Sequence, residues 1–169
     1  MSYKDSDWYK AQERVYQWLK NHKIRVYHAG FFSPFDIHTA AMTRIDVKWS
    51  RYQTINENMG SKQKGWKFVL HKQGHIDESQ VDFYVCLCDV NDELTEIGIL
   101  RPFYLVIKTP VNKFNIAVTT RDLLAGRWVT NFDNSGLIKE FDATKPPLPP
   151  PSGGKPGRPR RRIVAESEQ

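Results

Sequence analysis

Residues 6–22, SDWYKAQERVYQWLKNH, place Trp8, Ala11, Val15, Trp18, Leu19 and His22 on one stripe at helical spacing. That spacing predicts an amphipathic helix with its apolar face on a sheet. Ser6 or Asp7 is placed to cap it, because a side-chain oxygen there accepts orphan backbone N–H groups. The period then drops to two. IRVYHAG alternates, is β-branched and closes on Gly30, which predicts a strand. FDIHTA and RIDVKWS predict two more, antiparallel to each other, although the link AMT holds no Gly, Asn or Asp. RYQTINENMGSKQKG is polar and predicts a loop with at most a short helix. WKFVLHK, VDFYVCLCDV, FYLVIKT and FNIAVTT predict further strands, the second of them buried on both faces. TRDLLAGRW predicts one or two helical turns, with Thr120 as cap and Gly126 as stop.

The pattern ends near residue 144. Seven of the ten prolines lie in KPPLPPPSGGKPGRPRRR, where no apolar periodicity survives. Such a segment buries too little surface to offset its ordering entropy. The reading is one folded domain over residues 1–144 and a disordered Pro-rich basic tail over 145–169. Charge sharpens the division. Six of the 25 basic residues and two of the 19 acidic ones fall from Lys145 onward, so +4 of the net +6 belongs to the tail. A polyanionic partner such as nucleic acid follows.

At 40% hydrophobic the chain can bury a core, yet no apolar run reaches the roughly 20 residues that span a bilayer. MSYKDSDWYK is polar and unlike a secretory signal. The expectation is an intracellular protein, cytoplasmic or nucleoid-associated, with no membrane. Cys86 and Cys88 lie two apart on a predicted strand and face one way, as reduced packing residues do. A zinc site recruiting His71 and His75 matches no finger spacing.

Two of the predicted strands carry acids. In RIDVKWS, Arg44, Asp46, Lys48 and Ser50 share a face; in FDIHT, Asp36 and His38 do. If these strands pair, Asp36, Asp46 and Lys48 meet. One reading is the wet face of a hairpin, with a cross-strand acid–lysine pair. The other is chemical. Converging carboxylates repel unless a divalent cation sits between them, and a hard cation such as Mg²⁺ takes oxygen ligands and keeps several waters. Water acidified there attacks phosphorus, and Lys48 adds a mobile cation beside it.

Helix, strand, a strand with an acid, then a strand with (Asp/Glu)-x-Lys resembles the PD-(D/E)xK nuclease superfamily, the restriction endonuclease-like proteins. Pro34-Phe35-Asp36 and Asp46-Val47-Lys48 carry the likeness, with Phe35 as an insertion between the proline and the acid. The resemblance implies an α/β fold: a restriction endonuclease-like core with a mixed central β-sheet flanked by helices, opening helix-strand-strand-strand. It implies Mg²⁺, with Mn²⁺ as substitute, held by Asp36, Asp46 and the carbonyl of Val47. It implies Lys48 as the group that orients and activates water. A Glu from the first helix joins the site in many members. Glu13 is the candidate here, although it lies nearly opposite the apolar stripe and reads equally as a solvated acid. His38 reads as a phosphate contact or as a plain strand residue.

In the tail, KPGRPRRR resembles an AT-hook through Gly157-Arg158-Pro159, with Lys155, Arg160, Arg161 and Arg162 around it. Glycine lets the backbone approach, proline holds an extended path, and arginines follow a narrow A·T minor groove. Pro156 stands where the motif has arginine. A generic basic tail that binds by counterion release is the other reading. Together the two segments lead to an expected Mg²⁺-dependent DNA endonuclease with a DNA-binding tail. A homodimer is expected if both strands of a duplex are cut. The alternative is a catalytically inactive DNA-binding module of the same fold.

Overall fold

A computed structural model describes residues 5–30, 32–56, 63–70, 79–111 and 113–146. Helix α1 spans Asp7–Asn21, and Ser6 caps it by accepting from the Tyr9 N–H at 3.4 Å. Asp7 in its first turn and Lys20 in its last complement the helix dipole. Its buried residues are Ala11, Gln12, Val15, Trp18 and Leu19. The ends of the predicted stripe, Trp8 and His22, stay exposed.

Among the described residues, five strands form the central sheet: β1 (Val26–His28), β2 (Ile37–Thr39), β3 (Arg44–Ser50), β6 (Phe83–Cys88) and β7 (Phe103–Lys108), in the order β1-β2-β3-β6-β7. The β3–β6 pair is parallel and the other three pairs are antiparallel. All six residues of FYVCLC are buried in β6, as a central strand covered on both faces requires. Phe83, Val85 and Leu87 meet α1 and Ile138 on one face. Ile138 belongs to α3 (Gly136–Thr144). Tyr84, Cys86 and Cys88 meet a second core on the other face. That core is built on an antiparallel sheet of β4 (Gln53–Asn56), β5 (Gln63–Val69) and β8 (Asn115–Thr119). The architecture is mixed α/β, a mixed sheet flanked by helices, as the sequence led us to expect.

Two local expectations are corrected, and one helix was not anticipated. The polar stretch 51–65 holds β4 and the start of β5, where a loop was expected. Its strands are held by pairing, β4 with β5 and β5 with β8, rather than by a pattern of their own. Gly65 is the tight point of that pairing: an added Cβ would lie 1.9 Å from the Val118 carbonyl oxygen. Helix α2 (Thr120–Leu124) is capped by Thr119, not Thr120, through the Asp122 N–H at 3.0 Å. Gly126 does lie in the left-handed region, at φ 81. Helix α3 had no counterpart in the sequence reading.

The β2–β3 turn closes without the usual turn residues. Thr39 Oγ1 accepts the Thr43 N–H at 3.1 Å, and Met42 takes a left-handed φ of 66. Asp142 of α3 accepts from both Thr39 Oγ1, at 2.8 Å, and the Thr43 hydroxyl, which pins the helix to this turn. No helix among the described residues is long and apolar enough to cross a membrane. Residues 147–169, which carry the polyproline and Gly-Arg-Pro expectations, lie outside the described residues, as do His71 and His75.

Candidate active site

Strands β2 and β3 pair only at Ile37↔Ile45 and His38↔Arg44 before they separate. Asp36 stands at that fork, just ahead of β2. Its backbone N–H still donates to the Ile45 carbonyl at 2.9 Å, while its side chain spans the gap. Oδ2 accepts the Val47 N–H at 2.8 Å, a donor that β2 would have satisfied had it run on. Oδ1 accepts from Gln12 Nε2 of α1 at 3.0 Å. The carboxylate is thereby fixed from the helix and from the sheet.

The Asp46 carboxylate lies within hydrogen-bonding range of Asp36. Lys48, two residues along β3, places Nζ 3.0 Å from Asp46 Oδ2 and 6.0 Å from the centre of the Tyr84 ring. Both side chains keep about a fifth of their surface in water, at 19% for Asp46 and 20% for Lys48. The cluster is reachable from solvent yet mostly shielded. Burial raises the Asp36 carboxyl, and the charge and hydrogen bond of Asp46 raise it further. The Val47 N–H and the charge of Lys48 pull the other way, and the balance lies at about 7. Two carboxylates this close cannot both ionise cheaply, and the cost appears at Asp36.

That crowding is the test of whether a divalent ion suits the site. A hard cation between the two carboxylates relieves the repulsion that raises Asp36. In a strand, one residue's N–H and C=O leave on the same edge, so the Val47 carbonyl leaves β3 on the edge that its N–H shares with Asp36. Among the described residues no three His, Cys, Asp or Glu side chains gather as a metal cluster. Two carboxylates, a carbonyl and retained water are nonetheless a donor set that Mg²⁺ accepts. The residues fit the ion.

Asp36, Asp46, Val47 and Lys48 are therefore brought together. Glu13 is not with them: its Oε1 sits 2.9 Å from His28 Nε2, and that imidazole stacks on Tyr16 at 4.2 Å. The α1 residue that reaches the cluster is Gln12, the neighbour of Glu13. Gln12 is 9% exposed, and it falls four residues after Trp8 and three before Val15. A polar side chain on an apolar stripe was the available signal. Cys86 and Cys88 are free and fully buried, and burial pushes both thiols well up, as suits inert packing groups. The proposed DNA contacts Lys155, Gly157, Arg158, Pro159, Arg160, Arg161 and Arg162 lie outside the described residues.

No protein-family model matches the chain, and no curated protein does. Among solved structures its fold is similar to that of a bacterial homing endonuclease, I-Ssp6803I, with a TM-score of 0.51. The match covers 85% of this chain and 96% of that one, at 14% identity. At that identity the likeness establishes a shared fold and assigns no residue a role.

Proposed function

We propose that this chain is a divalent-metal-dependent DNA endonuclease that hydrolyses phosphodiester bonds at the Asp36–Asp46–Lys48 cluster. The observation that carries the reading is the crowding of two shielded carboxylates beside one lysine, at a strand fork that holds Asp36 by both oxygens. The solved neighbour is an endonuclease by name, which supports nucleic acid as the substrate.

Asp36, Asp46 and the Val47 carbonyl would hold Mg²⁺, or Mn²⁺ in its place. When bound, the ion supplies charge neutralisation at phosphorus and a more acidic water. The protein's own groups do the rest. Gln12 and the Val47 N–H fix the plane of the Asp36 carboxylate, so the cradle is formed before substrate arrives. Lys48 holds a positive charge where a phosphate oxygen or its attacking water must sit. The basic tail adds affinity for DNA, through a minor-groove hook or through counterion release. A homodimer would present two such sites to the two strands of a duplex.

A second reading has one observation in its favour. Gln12 is neutral at the helix position nearest the cluster, so the donor set is lean, and a silent DNA-binding module of this fold would show the same lean set. Incubating the chain with supercoiled plasmid separates the two. The enzyme nicks in Mg²⁺ and not in EDTA, and Asp46→Ala abolishes nicking while leaving DNA binding. Binding without nicking in Mg²⁺ or Mn²⁺ favours the silent module.

A further inference from the structure

The edge of the sheet next to the cluster carries aromatic rings in register. Tyr27 and His38 are cross-strand partners, and their rings stack at 5.5 Å with 26° between planes. Phe35 stands edge-on to His38 at 6.1 Å and 89°, with its far side packed on the second core. His38 Nδ1 lies 3.0 Å from the Thr39 carbonyl, so that nitrogen donates and the ring is held in orientation.

This strip shares a face with the candidate cluster. His38 opposes Arg44 across β2 and β3, and cross-strand partners lie on the same side. Arg44, Asp46 and Lys48 alternate on that side of β3. His38 is two residues from Asp36, roughly 7 Å along the chain. The inner end of the strip is anchored in the core, whereas its outer end, Tyr27, keeps 45% of its surface in water. Phe32, in the loop that leads into Asp36, is 96% exposed. A half-open aromatic strip on the same face as the candidate cluster is suited to the face of a base. A base within a duplex offers only its edges to the grooves. Its face becomes available once it is unpaired, and stacking on an aromatic side chain then adds affinity with little regard to sequence.

We infer that the β1–β2 hairpin stacks an unpaired nucleobase beside the phosphate to be cut, so that the preferred substrate is DNA carrying an unpaired nucleotide rather than uninterrupted duplex. The inference rests on the nuclease reading above and names the substrate class of the same site.

The test uses the full chain in EDTA, where binding is read without cleavage. Two oligonucleotide duplexes are compared, one fully paired and one with a single bulged 2-aminopurine. The bulged duplex binds roughly tenfold more tightly, the scale of one base–aromatic stack, and its fluorescence is quenched on binding. Tyr27→Ala removes most of the preference and the quenching, and Tyr27→Phe restores both. Circular dichroism confirms that each variant is folded. Equal affinity for the two duplexes, or a preference that survives Tyr27→Ala, overturns the inference. Parallel cleavage in Mg²⁺ keeps the two readings apart. A bulge preference without cleavage supports the stacking strip and removes the hydrolase, whereas cleavage without a bulge preference removes the strip alone.

Discussion

Two carboxylate clusters lie on neighbouring rungs of the same sheet, and they are built on opposite plans. Asp82, just ahead of β6, accepts the backbone N–H of Arg44 at 2.8 Å and its guanidinium at 3.1 and 3.2 Å, and Lys145 Nζ lies 3.8 Å away. Burial alone would raise its carboxyl, but the Arg44 hydrogen bonds and the two cations more than offset this and hold it below the usual carboxylate range. Asp36 is raised, first by burial and then by the charge and hydrogen bond of the second acid beside it. One carboxylate with two cations closes the fold. Two carboxylates with one cation leave a charge for something else to meet. Acidic residues on a strand say little alone, and the local count of charges tells the structural site from the chemical one.

The largest effect expected from breaking this contrast is at Asp36. Asp36→Asn keeps an oxygen for the Val47 N–H and removes the like-charge repulsion. Cleavage should fall by roughly three orders of magnitude, the range seen when an electrostatic catalytic group is removed. The metal-free protein should become more stable at pH 8, by about 2 kcal/mol, because a carboxyl raised toward 7 opposes folding once it must ionise. The sign is checked by pH. A raised carboxyl contributes its stability below its unfolded value near 3.9 and loses it as pH rises through about 7. The gap in melting temperature between variant and parent should vanish near pH 4 and grow to pH 8. A variant less stable than the parent at pH 8 would refute the crowding.

Asp82 should behave in reverse. Asp82→Asn leaves Arg44 short of its charged partner and should cost about 2 kcal/mol at pH 7, with the cluster chemistry intact. A depressed carboxyl contributes stability above its unfolded value near 3.9 and loses it as pH falls through the folded value. Thermal melts of variant and parent should converge below pH 4, and at neutral pH the variant is the less stable of the two, the opposite sign from Asp36.

How much of this contrast could be read beforehand depended on range. Helix α1 and strand β3 were legible because each carries its own period: Ala11, Val15 and Leu19 in one, Ile45, Val47 and Trp49 in the other. The β4–β5 hairpin was not, since Gln53, Thr54 and Lys64 show no alternation and the strand that pairs with β5, β8, lies some fifty residues on. Helix α3 is nine residues long and is secured by Asp142 to Thr39 and Thr43, a contact no local pattern announces. At the cluster, Asp36, Asp46 and Lys48 followed from alternation, although Asp36 was expected within the strand. It lies one residue before β2, and that displacement lets its side chain reach α1 as well as β3. Gln12 was passed over because a glutamine carries no charge to attract notice.

A gentler change sharpens the comparison at Gln12. Gln12→Glu brings a third carboxylate to the pair, which moves the cluster further from the plan of Asp82. Divalent-ion affinity should rise roughly tenfold, since ligand charge sets the affinity of oxygen sites. Metal-free stability should fall at neutral pH through added repulsion. Isothermal titration with Mn²⁺ and a melt in EDTA read the two effects, which must move in opposite directions. If Gln12→Glu leaves both unchanged, Gln12 does not face the ion.

The smallest effect is expected at Glu13, and there a small result is the informative one. Its partner is His28, and both side chains are about two-fifths exposed, at 39% and 41%. An exposed pair of this kind contributes at most about 0.5 kcal/mol. Glu13→Gln retains a hydrogen bond to the imidazole and should shift the melting temperature by a degree or so. Mn²⁺ affinity should not move, because the carboxylate is directed toward β1 and not toward Asp36. The resemblance from sequence drew Glu13 into the site by its residue type; the structure gives the adjacent position to Gln12 by its direction. A loss of Mn²⁺ affinity in Glu13→Gln, with Gln12→Ala silent, would reverse that assignment and show that α1 turns by one residue when the ion binds.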